Sequence, residues 1–190
     1  MTLGRSSRRG TFAQGPPDSW RSAFACQAAS DYEMFRLLNR QRAPRCHQLH
    51  FLQMATEKLA KAFLSGSGTP GRRPANVHTA FTGSVRMAKQ RADIRKICGF
   101  PEDRRASYNS YIDMLIPTAR EIERLAPGVG GADSPNTEYP WLHAGQVTSP
   151  LFYGFFSVGC GSSGFPKLLA FFEACLSLIR TPWSRPHLCP

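Results

Sequence analysis

The run HFLQMATEKLAKAFL, residues 50–64, decides the fold class. Leu49, Leu52, Ala55, Leu59, Ala62 and Phe63 recur at the three- and four-residue spacing that gathers apolar side chains on one helical face, and His50, Glu57 and Lys61 fall on a different face. Ala, Leu, Met, Gln, Glu and Lys are also the strongest helix formers, so period and propensity agree. Pro44 opens the segment, a residue tolerated in a helix's first turn, and Gly66, Gly68, Pro70 and Gly71 close it. The expected helix runs from about Pro44 to Leu64.

Upstream, Phe24, Ala28, Tyr32, Phe35 and Leu38 make a second 3.6-residue stripe, which predicts a helix from about Ser22 to Arg40. Residues 1–21 carry Arg5, Arg8, Arg9 and Arg21 among Gly and Pro and read as a disordered basic arm. Downstream, a third helix capped by Asn76 is expected to reach Gln90, and a short piece from Ala92 to Cys98 should end at Gly99 and Pro101. A fourth covers Arg105 to Ala126 on the stripe Tyr108, Ile112, Leu115, Ala119 and Ile122, with a kink or a new start near Leu115 imposed by Pro117.

From Pro127 to Ser163 the periodicity disappears into Gly, Pro and Ser, which predicts a long loop with short extended pieces around Tyr139, Trp141, Val147 and residues 152–156. A last helix is expected from Phe165 to Arg180, followed by a tail over 181–190. The fold class is therefore all-α: an antiparallel bundle of about five helices over 22–126, with an irregular loop before a packed final helix in 127–180.

The 24 Lys and Arg against 13 Asp and Glu leave a net charge of +11, which favours polyanions or acidic proteins as partners. The six cysteines are scattered without a Cys-x-x-Cys pair and read as free thiols. The N-terminal stretch lacks the apolar core of a secretory signal, and the apolar run 165–179 is interrupted by Lys167 and Glu173, so a cytoplasmic protein with no membrane span is expected.

Ser30-Asp31-Tyr32-Glu33 in the first helix, followed by Ala55, Glu57, Lys58, Lys61 and Ala62 in the second, resembles the HEPN (higher eukaryotes and prokaryotes nucleotide-binding) family. In that family an antiparallel hairpin carries an Ala-x-Glu-Lys-x-x-Lys-Ala pattern. The resemblance implies either a module that binds nucleic acid, nucleotide or a partner protein, or a metal-independent ribonuclease of the toxin type with an Arg/His motif at a homodimer interface. The motif spacing is met by Arg45 with His50, by Arg40 or Arg42 with His47, and by Arg72 or Arg73 with His78. The late helices, where active members usually place it, contain no His. In that chemistry a His takes the 2′-hydroxyl proton and an Arg holds the phosphate.

The candidate catalytic residues are thus Arg45, His50, Arg73 and His78, and the candidate nucleic-acid contacts are Arg72, Arg73, Arg86, Lys89, Arg91, Arg95 and Lys96. Cys46, His47, His50 and His78 lack the spacing of a zinc site, and Gly159, Gly161 and Gly164 lack the Lys of a phosphate loop, so neither metal nor cofactor is expected. The leading expectation is a HEPN-like binding module; the alternatives are the ribonuclease and a purely structural helical interaction protein.

Overall fold

The two stripes at the front of the sequence form the paired helices α1 (Trp20–Arg40) and α2 (Arg45–Ser65). The structure is a computed structural model that describes residues 20–65, 79–131, 133–155, 158 and 163–179. The expected basic arm up to residue 19, the Asn76 cap and the C-terminal tail lie outside the described residues. A six-to-one bond from Ala43 N to Leu38 O at 3.0 Å and a five-to-two bond from Arg42 N to Asn39 O at 3.2 Å close α1, with Arg42 left-handed at φ 53°. The chain reverses there, and Pro44 then starts the return.

Beyond the hairpin come α3 (Ala80–Met87), α4 (Ala92–Ile97), α5 (Arg105–Glu123) and α6 (Gly164–Ile179). The described part is mostly helical, an all-α bundle with one small two-stranded sheet. Gly99, at φ 80°, ends α4 with the same pair of bonds that ends α1. Of the two outcomes expected at Pro117, a new helical start near Leu115 does not occur: α5 runs through that residue as one helix. Pro117 sits on the exposed side of α5, where water can satisfy the carbonyl that loses its donor.

Helix α2 packs against α1, α3, α5 and α6 and so is enclosed on several sides. Leu49, Leu52, Ala55, Leu59 and Ala62 are buried as the stripe requires. A second correction concerns Glu57, which is not on a solvated face but only 9% exposed. Its carboxylate accepts from Lys61 Nζ at 2.6 Å and from Gln53 Nε2 at 3.1 Å, and the neighbouring Lys58 pairs with Asp31 of α1. Lys61 Nζ also stands 5.9 Å from the ring centre of Phe24 in α1. These charges hold the hairpin together.

The outer helices are fastened by similar contacts. Tyr32 of α1 stacks on Phe172 of α6 at 4.6 Å and donates to Glu173 Oε1 at 2.7 Å. The Glu123 carboxylate of α5 accepts from the backbone N–H and the hydroxyl of Thr82 at 3.2 and 2.7 Å, filling orphan donors in the first turn of α3.

Between α5 and α6 the irregular segment contains β1 (Trp141–His143) and β2 (Gln146–Thr148), paired antiparallel with Leu142 opposite Val147. Ala144 at φ 50° and Gly145 at φ 79° make the two-residue turn, both left-handed as the tight hairpin geometry demands. Trp141, Pro150 and Phe155 are buried and anchor the segment to the bundle.

Removal of the Glu57 carboxylate leaves Gln53 and Lys61 in a mostly buried place without their acceptor. Glu57→Ala is expected to lower unfolding free energy by about 3 kcal/mol in a urea titration. Lys89→Ala, which breaks the exposed pair with Asp113, should change it by less than about 1 kcal/mol.

Candidate functional site

Arg45 occupies the first position of α2, and its guanidinium is already committed. Nη1 donates to Gln48 Oε1 at 3.0 Å, Nη2 donates to the Val158 carbonyl at 2.9 Å, and the group lies 5.6 Å from the centre of the Phe165 ring. Gln48 in turn donates to the Ala43 carbonyl at 2.6 Å. Arg45 therefore ties the hairpin turn, the start of α2 and the approach to α6.

His50 lies five residues further on, about 140° around the helix axis from Arg45. Its Nδ1 is 3.6 Å from Glu138 Oε1, and its ring meets Phe51 edge-on at 5.3 Å. The two side chains of the first candidate pair thus address different parts of the irregular segment and do not converge on one phosphate-sized space. Arg40, Arg42 and His47 are exposed around the turn. Arg72, Arg73 and His78 lie outside the described residues.

The candidate basic segment is also largely engaged within the chain. Lys89 Nζ pairs with Asp113 at 2.6 Å. Arg91 grips Asp93 with two donors at 2.9 and 2.6 Å, and this hydrogen bonding holds the Asp93 carboxyl below its usual range. Arg95, buried, forks onto both oxygens of Glu102. Arg86 and Lys96 remain exposed with no carboxylate partner among the described residues, as do Arg104 and Arg105 at the head of α5. The partners Asp93, Glu102 and Asp113 were not apparent from spacing: Glu102 and Asp113 come from separate elements, and Asp93 is reached around a helix start.

Desolvation pushes the Cys98 thiol up to about 11, and it holds Cys46 and Cys175 above the ordinary thiol range as well. Cys26 is free and exposed. Among the described residues no group of three or more His, Cys, Asp or Glu is placed to hold a metal ion. No helix among them is long and apolar enough to cross a membrane.

Two features of the irregular segment went unread in the sequence. One is a half-open cavity of about 310 Å³ at the C-terminal end of α5, lined by Glu121, Arg124, Leu125, Gly130, Ser134, Pro135, Tyr153, Phe155 and Val158. Arg45 holds the wall of that cavity through the Val158 carbonyl. The other is a set of exposed apolar side chains in and around the hairpin, Tyr139, Leu142, Val147, Leu151 and Phe152, which are 60%, 51%, 77%, 51% and 84% exposed. Period-two alternation around Trp141 was the available signal, but it spans only three residues per strand.

No family model, no curated protein and no solved structure matches the chain. The HEPN resemblance accordingly rests on its own residues, of which Asp31 and Lys58 pair across the α1–α2 hairpin while Tyr32 turns to Glu173 of α6.

Arg45→Met is expected to loosen the segment around Val158 and to lower the melting temperature by several degrees, as loss of a charged donor from two buried acceptors costs about 1.5–3 kcal/mol. His50→Ala should shift it by less than half as much. Thermal unfolding followed by circular dichroism separates the two, and a larger effect at His50 would contradict the roles assigned here.

Proposed function

We propose that the protein is a non-catalytic, HEPN-like helical interaction module that assembles with a second copy of itself through the outer face of the β1–β2 hairpin. The observation that carries this reading is the exposed cross-strand pair Leu142 and Val147, followed along the chain by the exposed Leu151 and Phe152. Leu142 and Val147 are cross-strand partners and so stand on one face of the hairpin, while Trp141 on the opposite face is buried. Exposed apolar side chains gathered in this way mark a contact surface rather than a solvated one.

Charge supports the choice of occupant. Two copies of a chain with net charge +11 repel unless they meet away from their cations. Residues 125–166 contain no Lys or Arg, the longest such run in the sequence, and the hairpin lies within it. The same feature disfavours nucleic acid as the occupant of this face. The α1–α2 hairpin, with Glu57, Lys58 and Lys61 at its interface, supports the HEPN-like half of the reading, and the divergence of Arg45 and His50 supports a non-catalytic role.

Sedimentation velocity of the full chain over a range of concentrations tests the proposal. The wild type is expected to move as a dimer, and Val147→Asp with Phe152→Asp is expected to move as a monomer with an unchanged melting temperature. A wild type that stays monomeric at every concentration, or a variant that still dimerises, would refute it.

A second reading, polyanion binding, is favoured by the exposed and unpaired Arg86, Lys96, Arg104 and Arg105. It places the contact on α3, α4 and the head of α5. Binding of a labelled single-stranded RNA should then weaken steeply with salt, and charge reversal at Arg86 and Lys96 should flatten the slope by about 0.7 per lost phosphate contact. Salt-independent binding would argue against this reading.

A further inference from the structure

The cavity at the end of α5 is a candidate ligand site independent of the hairpin surface. Its volume, about 310 Å³, lies at the lower end of the range that small-molecule pockets occupy, which is about 300–1,000 Å³. Two of its lining residues carry opposite charge, Glu121 and Arg124, and they sit three positions apart at the C-terminal end of the helix. Such neighbours have Cβ atoms about 5–6 Å apart, which is near enough to pair. They do not pair here, and neither has another ionic partner among the described residues.

Glu121 Oε2 is shielded from solvent and receives no hydrogen bond. With one oxygen so shielded and no cationic partner, the carboxylate is poorly solvated, and a cation seated in the cavity that reaches its other oxygen offsets that cost. Arg124 is exposed and forms the solvent side of the lining with its donors free to meet an anion. The remaining walls are apolar or small: Tyr153 and Phe155, whose rings meet edge-on at 4.9 Å, with Leu125, Pro135 and Val158. Ser134 donates its hydroxyl to the Gly130 carbonyl and so adds no free donor.

A ligand that matches this lining needs a cationic donor for Glu121, an anionic acceptor for Arg124 a few ångströms away, and an apolar body for the aromatic walls. We propose that the cavity binds a small zwitterion of the α-amino-acid class with an apolar side chain, its ammonium on Glu121, its carboxylate on Arg124 and its side chain against Tyr153 and Phe155. A purely anionic ligand leaves the Glu121 carboxylate unanswered and adds repulsion. A purely cationic one leaves Arg124 unused.

Isothermal titration calorimetry of the full chain with L-phenylalanine and L-leucine tests the assignment, with phenethylamine and 3-phenylpropionate as single-charge comparators. Both amino acids are expected to bind, and each comparator to bind about tenfold or more weakly than L-phenylalanine, the ratio that one lost charge-assisted hydrogen bond produces. Glu121→Gln should weaken L-phenylalanine and phenethylamine but not 3-phenylpropionate, and Arg124→Gln should weaken L-phenylalanine and 3-phenylpropionate but not phenethylamine. Glu121→Gln is isosteric and Arg124→Gln keeps a polar side chain at an exposed position, and an unchanged melting temperature confirms that the fold is intact. The assignment is overturned if neither amino acid binds at millimolar concentration, if 3-phenylpropionate binds as tightly as L-phenylalanine, or if the two variants lose affinity without the crossed pattern.

Discussion

The enclosure of α2 is the constraint on which the rest of the structure depends. A helix packed against α1, α3, α5 and α6 has little surface left for water, so its polar groups must be satisfied by the protein. Gln53, Thr56 and Glu57 are all buried. Most of their polar atoms are served within the helix: Thr56 Oγ1 donates to the Gln53 carbonyl at 2.9 Å, and Gln53 and Lys61 both donate to Glu57, which leaves Gln53 Oε1 as the one side-chain oxygen of the three without a hydrogen-bond partner. Ala55, Ala60 and Ala62, fully buried, let the neighbouring helices approach closely around this polar row. Lys58 carries the same logic outward by pairing with Asp31 across the hairpin. Residues that a composition count records as generic helix formers are here the internal solvent of the central helix.

Arg45 shows how the irregular segment inherits its position from α2. A cation at a helix N-terminus opposes the helix dipole, and α2 has no acidic residue in its first turn to offset it. The compensation comes from acceptors outside the first turn's backbone: the Gln48 side chain and the Val158 carbonyl, with the Phe165 ring beside them. The segment between α5 and α6 is thereby fixed at one point by a charge that would otherwise be misplaced. Trp141 and Phe155 fix it at others, through a chain of aromatic contacts that runs through Tyr153. A sequence reader looking for phosphate chemistry at Arg45 meets instead a residue whose donors are used to hold the chain.

Helix positions were legible in the sequence because the apolar period of 3.6 is set locally. The α1 and α2 stripes, Gly99 as the end of α4 and the start of α6 near Phe165 all followed from it. Three things were not legible, each because tertiary contacts decide it. The burial of Glu57 depends on how many helices surround α2, which the pattern of one helix does not contain. The passage of α5 through Pro117 depends on that residue facing water. The hairpin turn places Ala144 in the left-handed region, where the usual signal is Asn or Asp before Gly, so the Ala144-Gly145 pair gave no warning of it. Of the candidate site, Arg45 and His50 were paired as catalytic candidates by their spacing, and the directions their side chains take were not available from spacing alone. The Glu121–Arg124 cavity is closed by residues up to 37 positions apart in sequence, from Glu121 to Val158, and no local pattern announces it.

The distribution of charge explains why the proposed contact surfaces fall where periodicity fails. Much of the positive excess lies at Arg5, Arg8, Arg9, Arg72, Arg73, Arg180 and Arg185, outside the described residues, and six cations within the helical hairpin and the α3–α4 region, Arg36, Lys58, Lys61, Lys89, Arg91 and Arg95, are each paired with a neighbouring carboxylate. The stretch after Arg124 is different in kind. It has no cations and little regular structure, and strands of three residues contribute little stability alone. Trp141, Pro150 and Phe155 supply the anchoring, and the pleat of the hairpin turns Leu142 and Val147 away from that anchored side. The anchoring side chain and the exposed apolar pair therefore stand on opposite faces of one short element. That division is what allows the outer face to remain apolar without serving the core, and it places the hairpin, rather than the motif-bearing helix α2, at the centre of the functional reading.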